Sequence, residues 1–90
     1  MSRVRIPPTL RAATEGTKLV DVSGTTVQEV VDNLIATYPG LAAQLLGPDG
    51  EVNRFINVFL NDTDVRHLEG LATVVDDRDG IVLLPAMAGG

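Results

Sequence analysis

Polar and apolar residues alternate in two stretches of the chain, which is the pattern of strands with one buried face. Residues 3–6 alternate until Pro7-Pro8 removes two backbone donors, and the alternation resumes from Lys18 to Val22. Arg54 to Leu60 and Ile81 to Leu84 are also strand-like, because they are rich in β-branched residues. We expect the first two stretches to pair, and the first and last to lie side by side at the centre of a sheet.

A helix is predicted to begin at Thr26. The threonine and Glu29 form a capping box, in which the hydroxyl accepts the Glu29 amide and the carboxylate returns to the Thr26 amide. Apolar residues recur at steps of three and four until Pro39-Gly40 ends the helix. They are Val27, Val30, Val31, Leu34, Ile35 and Tyr38.

The remaining stretches are predicted to connect these elements. Thr9 to Gly16 is expected to be a loop, Leu41 to Leu46 a short helical turn, and Val65 to Val75 an irregular connection with a short strand near Thr73 to Val75. Three polar clusters are expected to be turns, namely Gly47-Pro48-Asp49-Gly50, Asn61-Asp62-Thr63-Asp64 and Asp76 to Gly80. Since only one substantial helix is available, the order predicts an α+β fold with that helix on one face of a mixed, four- to five-stranded sheet.

Composition narrows the class of function. The 90 residues are enough for one small core, and with 44% hydrophobic and 21% charged residues they should fold on their own. A net charge of −5 disfavours nucleic-acid and membrane partners. The chain has no cysteine and no stretch that would act as a signal peptide or cross a bilayer, so we expect a cytoplasmic protein without a thiol of its own.

The third predicted strand divides its side chains between two faces. Ile56, Val58 and Leu60 point one way, and we expect them in the core because the opposite set would bury Asn57. Phe55 and Phe59 are then predicted on the open face of the sheet. With Leu84 they form a candidate surface for docking a partner.

Chemistry is expected at the C-terminus, where Pro85 is followed by Ala86, Met87, Ala88, Gly89 and Gly90. The last two residues lack Cβ atoms, so the segment can enter a narrow channel and a nucleophile can approach the terminal carbonyl. Five residues extend roughly 17 Å at ~3.4 Å each. We therefore divide the chain into a domain at residues 1–85 and a flexible tail at residues 86–90.

Three segments resemble the ubiquitin-like β-grasp sulfur carriers, which include the small subunit of molybdopterin synthase and the thiamin-pathway carrier. These segments are the capped helix from Thr26, the stretch Asn57 to Arg66, and the terminal run from Asp77. Asn61-Asp62-Thr63-Asp64-Val65-Arg66 and the last six residues most resemble the carrier of the O-phosphoserine route to cysteine. The resemblance covers nearly the whole chain.

The resemblance implies that an E1-like adenylating enzyme joins the Gly90 carboxylate to AMP, and that sulfide or a persulfide converts it to a thiocarboxylate. The sulfur would then pass to an acceptor synthase, either cysteine synthase-like or of the thiosugar or thiamin type, and a processing metalloprotease would release the product. In this interpretation the protein is a cosubstrate, not an enzyme, and needs no cofactor.

Two other functions remain open. The protein could be a ubiquitin-like modifier joined through Gly90 to lysines of its targets, or a non-catalytic interaction domain. No metal site is predicted. His67 is the single histidine, and the acidic clusters at Asp62/Asp64 and at residues 76–79 lack the glycine and glutamate positions of a calcium loop.

Overall fold

The computed structural model describes residues 1–48, 52–53 and 56–85. Within them, five strands form one mixed sheet in the order β2-β1-β5-β3-β4. The strands are β1 (Ser2–Arg5), β2 (Leu19–Val22), β3 (Ile56–Leu60), β4 (Thr63–Asp64) and β5 (Gly80–Pro85). The helices are α1 (Val27–Thr37) and α2 (Ala42–Leu45), with 3₁₀ turns at Pro8–Thr14, Pro39–Leu41, Val65–His67 and Gly70–Ala72.

The first and last strands lie side by side at the centre of the sheet, as predicted. β1 and β5 are parallel, with Val4 beside Ile81, whereas the β1–β2, β3–β5 and β3–β4 pairs are antiparallel. β5 pairs with β1 through residues 80–82 and with β3 through residues 81–85, so every residue of the strand has at least one partner. The last strand therefore brings the chain to one defined end of the sheet, at Pro85.

Helix α1 begins as the capping residues predict, with one difference. The Thr26 hydroxyl accepts the Glu29 amide at 3.2 Å, but the Glu29 carboxylate accepts from the amide and the hydroxyl of Thr25, both at 3.0 Å. The predicted return to the Thr26 amide is wrong because Thr25 offers one carboxylate oxygen two donors at once. The helix ends before Pro39, as predicted.

The core lies between the sheet and the helices. From the sheet it receives alternate residues, and from α1 the predicted stripe. Its members include Val4, Ile6, Val27, Val30, Val31, Leu34, Leu41, Leu45, Ile56, Val58, Leu60, Ile81 and Leu83. The assignment of Ile56, Val58 and Leu60 to the core is confirmed, and Ile35 and Tyr38 pack against its margin.

Two predicted connections differ from the structure. The stretch predicted as a loop at Thr9 to Gly16 is largely a 3₁₀ helix, in which Leu10 and Thr14 are buried. No strand forms at Thr73 to Val75, where Val74 makes a single bridge to Thr26. The short additional strand is instead β4, at Thr63–Asp64. A pair of residues is too short to leave a pattern in the sequence.

Two other predictions lie partly beyond the described residues. The turn at residues 47–50 is described only as far as Pro48, although Leu46 and Val52 on either side of it form an antiparallel bridge. The strand predicted from Arg54 is described from Ile56, so Arg54 and Phe55 lie outside.

Candidate functional site

The end of β5 is the part of the domain from which the predicted tail continues. Pro85 pairs with Ile56 and Leu84 pairs with Asn57, so the strand stays in the sheet up to its last residue. Leu83 is buried in the core, but Leu84 is 44% exposed. The predicted tail, Ala86, Met87, Ala88, Gly89 and Gly90, lies outside the described residues.

One row of side chains crosses the sheet on the face opposite α1, which we call the open face. Paired residues of neighbouring strands project to the same side, so the register defines the row. It consists of Leu19, Arg5, Val82, Phe59 and Asp64. Phe59 is half-buried here and is not part of the core.

Leu84 lies on this same face, two residues beyond Val82 on β5. The structure therefore places Phe59 and Leu84 on one side of the sheet, close to the strand end. Phe55, the third residue of the predicted docking surface, is outside the described residues.

Arg66 binds the start of β3, beside the end of β5. Its Nη2 atom donates to the Asn57 side-chain oxygen at 2.7 Å and to the Ile56 carbonyl at 3.2 Å. A guanidinium can serve two acceptors in fixed directions, which a lysine ammonium does less well. Since Ile56 and Asn57 are the partners of Pro85 and Leu84, this contact supports the point at which β5 leaves the sheet.

Asn61 fixes the opposite end of the same strand pair. It adopts a left-handed conformation with φ of 57°, and its side-chain oxygen accepts from the Gly80 amide at 3.0 Å. Its own amide donates to the Gly80 carbonyl at 2.7 Å, and its side-chain amide donates to Asp79. Both ends of the β3–β5 pair are thus held by side chains of the stretch that carried the resemblance.

The acidic side chains of the turn before β5, at residues 76–79, stabilise the turn itself. Carboxylates of Asp76 and Asp79 accept backbone amides of Arg78 and Asp76, at 2.8 and 2.9 Å. A hydrogen bond from the N-terminal ammonium and its charge lower the pKa of Asp77.

Among the described residues no group of three or more histidine, cysteine or acidic side chains could hold a metal ion, and no helix is long and apolar enough to span a membrane.

A shallow groove of about 460 Å³ lies on the open face between β2, β1 and β5. Gly80 leaves its floor open, because it stands opposite Arg3 without a side chain. The lining residues are Arg3, Arg5, Leu19, Gly80, Ile81, Val82 and Leu84. Sequence reasoning missed the two arginines as site residues; the alternation in β1 was visible, but the β1–β5 register that places them beside Val82 was not.

Comparison with known proteins identifies the family. The ThiS family matches residues 4–90. The chain belongs to the ThiS family. It is 45% identical, over 97% of its length and 96% of the relative's, to the sulfur carrier protein CysO of Mycobacterium tuberculosis.

Solved structures agree with the sequence match. The chain superposes with a TM-score of 0.90 and 42% identity on a chain of the Amycolatopsis orientalis BexX/CysO complex, with each chain covered completely. The small archaeal modifier protein 1 of Methanosarcina acetivorans gives 0.87 and 34%, over 99% of this chain and 95% of that one. The predicted β-grasp fold and the predicted resemblance to the ubiquitin-like sulfur carriers of the cysteine-route type are confirmed.

Proposed function

We propose that this protein is a sulfur carrier whose Gly90 carboxylate is adenylated, converted to a thiocarboxylate and presented to an acceptor enzyme. One observation carries the proposal. A central strand that stays paired with β3 up to Pro85 is followed directly by the sequence Ala86-Met87-Ala88-Gly89-Gly90, in a chain 45% identical to a sulfur carrier over nearly its full length. A rigid body with a narrow, reactive arm fits that task.

The chemistry needs an outside activator because oxide is a poor leaving group. A Gly90 carboxylate oxygen attacks the α-phosphorus of ATP, and pyrophosphate leaves. Hydrogen sulfide anion then attacks the acyl carbon, the bond to AMP breaks, and the proton of the added sulfur is lost to give the thiocarboxylate. This chain supplies only the acyl group, so we propose that it is a cosubstrate and not an enzyme.

The tail and the domain have separate roles in this proposal. Ordering the five residues 86–90 in a partner's channel costs on the order of 5 to 10 kcal/mol of backbone entropy. Covering large apolar side chains contributes roughly 1.5 to 3 kcal/mol each. Phe59 and Leu84, with Phe55, are the proposed source, so docking is expected to be reversible, as a carrier that visits several enzymes requires.

The partners follow from the chemistry. An E1-like adenylating enzyme would load the tail, and an acceptor synthase would take the sulfur. The likeness to CysO supports a cysteine synthase-like acceptor. A thiosugar or thiamin-type synthase needs the same thiocarboxylate, and a metalloprotease that releases the product completes the proposed pathway. We place these steps in the cytoplasm, where ATP is available for adenylation.

The test is intact-mass analysis of the full chain after incubation with ATP, sulfide and the cognate adenylating enzyme. We expect one oxygen-for-sulfur exchange, located at the C-terminus by fragmentation. Gly90→Ala should reduce the exchange strongly because its Cβ hinders the acyl carbon. Gly40→Ala is the control, because its added Cβ meets only Ala13 at an ordinary 3.6 Å.

Two results would overturn the proposal. One is a chain that the adenylating enzyme activates but that never gains sulfur. The other is recovery from cells of the tail joined to lysines of target proteins in place of a thiocarboxylate, which would make the protein a modifier.

A further inference from the structure

The groove on the open face combines a cationic wall with apolar sides. Arg5 stands between Leu19 and Val82 in the row across the sheet, and Arg3 stands beside the open position left by Gly80. Leu19 and Leu84 are 45% and 44% exposed. Such a surface offers apolar contact and positive charge together.

The two guanidinium groups are available for an outside acceptor. No hydrogen bond or ion pair joins the exposed Arg5 side chain to any residue that the structure describes. Arg3 contacts Asp21 through Nε at 3.3 Å, and both side chains are more than half exposed. An exposed pair of this kind is worth little, so a better-placed carboxylate can replace it.

We propose that this groove is an electrostatic docking site for a carboxylate-bearing, partly apolar patch on the adenylating enzyme that receives the tail. The inference rests on the proposed function. The groove reaches Leu84, one residue before Pro85, so an enzyme surface seated in it meets the chain where the tail begins. Arginine on an apolar floor suits carboxylate recognition because its planar fork gives directed hydrogen bonds and is weakly hydrated.

A protein surface fits this groove better than a nucleic acid or an anionic membrane. The chain carries a net charge of −5, and the cationic groove is a local exception to it. Charges in solution act over about 8 Å at physiological ionic strength, so a compact acidic patch would sense mainly the two arginines. An extended polyanion would also meet the acidic remainder of the surface and be repelled.

The first test compares Arg5→Glu with Arg78→Glu. Both variants change the net charge equally, but Arg78 is exposed on the turn at the other end of β5, away from Leu84. Pyrophosphate exchange by the cognate adenylating enzyme is measured with the full-length carrier as the varied substrate. We expect Arg5→Glu to raise KM by tenfold or more with kcat nearly unchanged, and Arg78→Glu to change KM less than twofold.

A second pair of variants tests the opposite direction. Asp21→Asn removes the carboxylate that competes for Arg3, so KM should fall, whereas Asp32→Asn on α1 makes the same charge change outside the groove and should leave KM nearly unchanged. Gly80→Leu fills the groove floor, where an added Cβ would lie 4.0 Å from its nearest neighbours, and should raise KM. The effect of Arg5→Glu should shrink as salt is added.

The outcomes separate this inference from the proposed function. If the unmodified carrier supports pyrophosphate exchange but Arg5→Glu and Arg78→Glu behave alike in folded proteins, the docking site is wrong and the carrier function stands. If the unmodified carrier is never adenylated, the carrier function itself fails. Arg5-dependent binding to phosphatidylserine vesicles or to single-stranded DNA would overturn the assignment of a protein partner.

Discussion

Gly24 is a single residue on which the seating of α1 against the sheet depends. It joins β2 to the helix with φ of 155°, and a Cβ at this position would lie 2.8 Å from both the backbone nitrogen and a methyl carbon of Val30. The adjacent Ser23 carbonyl accepts a hydrogen bond from the Asn33 side chain at 2.7 Å. The Ser23-Gly24 connection therefore contacts two successive turns of α1, at Val30 and at Asn33.

We expect Gly24→Ala to lower the free energy of unfolding by about 1 to 3 kcal/mol, the usual cost of an extra group in a packed region. The reason is that the new methyl meets backbone, which cannot rotate away. Urea unfolding followed by circular dichroism measures the change. Gly40→Ala is the matched control, with no such contact; equal stability of the two variants would contradict the account.

At the scale of elements, the start of α1 is stabilised by a charge that depends on pH. The Thr25 amide donates to the Glu29 carboxylate and lowers its pKa below the ordinary value, and the Thr25 hydroxyl adds to the shift. A carboxyl whose pKa is lower in the folded state stabilises the fold above its ordinary pKa. That contribution is lost as pH falls through the lower, folded-state pKa.

Removing the Thr25 hydroxyl should therefore raise the pKa of Glu29 toward its ordinary value. A carbon-detected NMR titration of the Glu29 carboxyl in Thr25→Val should show this rise in pKa. The free energy of unfolding of Thr25→Val should differ less from that of the unmodified protein in acid than at neutral pH. Thr63→Val makes the same chemical change on exposed β4 and should leave the Glu29 titration unchanged. A Glu29 pKa unaffected by Thr25→Val would disprove the role of this hydroxyl.

The elements with regular patterns could be predicted from sequence, and the short or irregular ones could not. The cost of burying Asn57 predicted the core face of β3 correctly. The central position of β1 and β5 was predicted from the order of the elements and from the proline that follows each of these strands. Strand β4 has only two residues and therefore no periodicity to detect. The prolines before residues 9–16 are typical of a loop, so the 3₁₀ helix there was not predicted. The arginine groove required the register between strands distant in sequence, which no local pattern contains.

For the whole molecule, the proposed docking site and the hydrophobic core lie on opposite faces of one sheet. α1 covers one face and buries alternate residues of every long strand, while the other face carries Phe59, Leu84 and the groove with its arginines. Adjacent residues of β5 thus belong to different tasks. The arrangement lets the docking surface vary without cost to the core.

Leu83 and Leu84 test this division because they are neighbours of the same type with opposite exposure, 1% and 44%. Leu83→Ala should lower the free energy of unfolding by about 2 to 5 kcal/mol, since it leaves a cavity in the core. Leu84→Ala should change it by only about 0.5 kcal/mol, as surface substitutions do, yet raise KM for the adenylating enzyme because apolar docking area is lost. Urea unfolding and pyrophosphate exchange on the same preparations measure both effects. If Leu84→Ala is destabilised as much as Leu83→Ala, or if its KM is unchanged, the two faces do not have these separate roles.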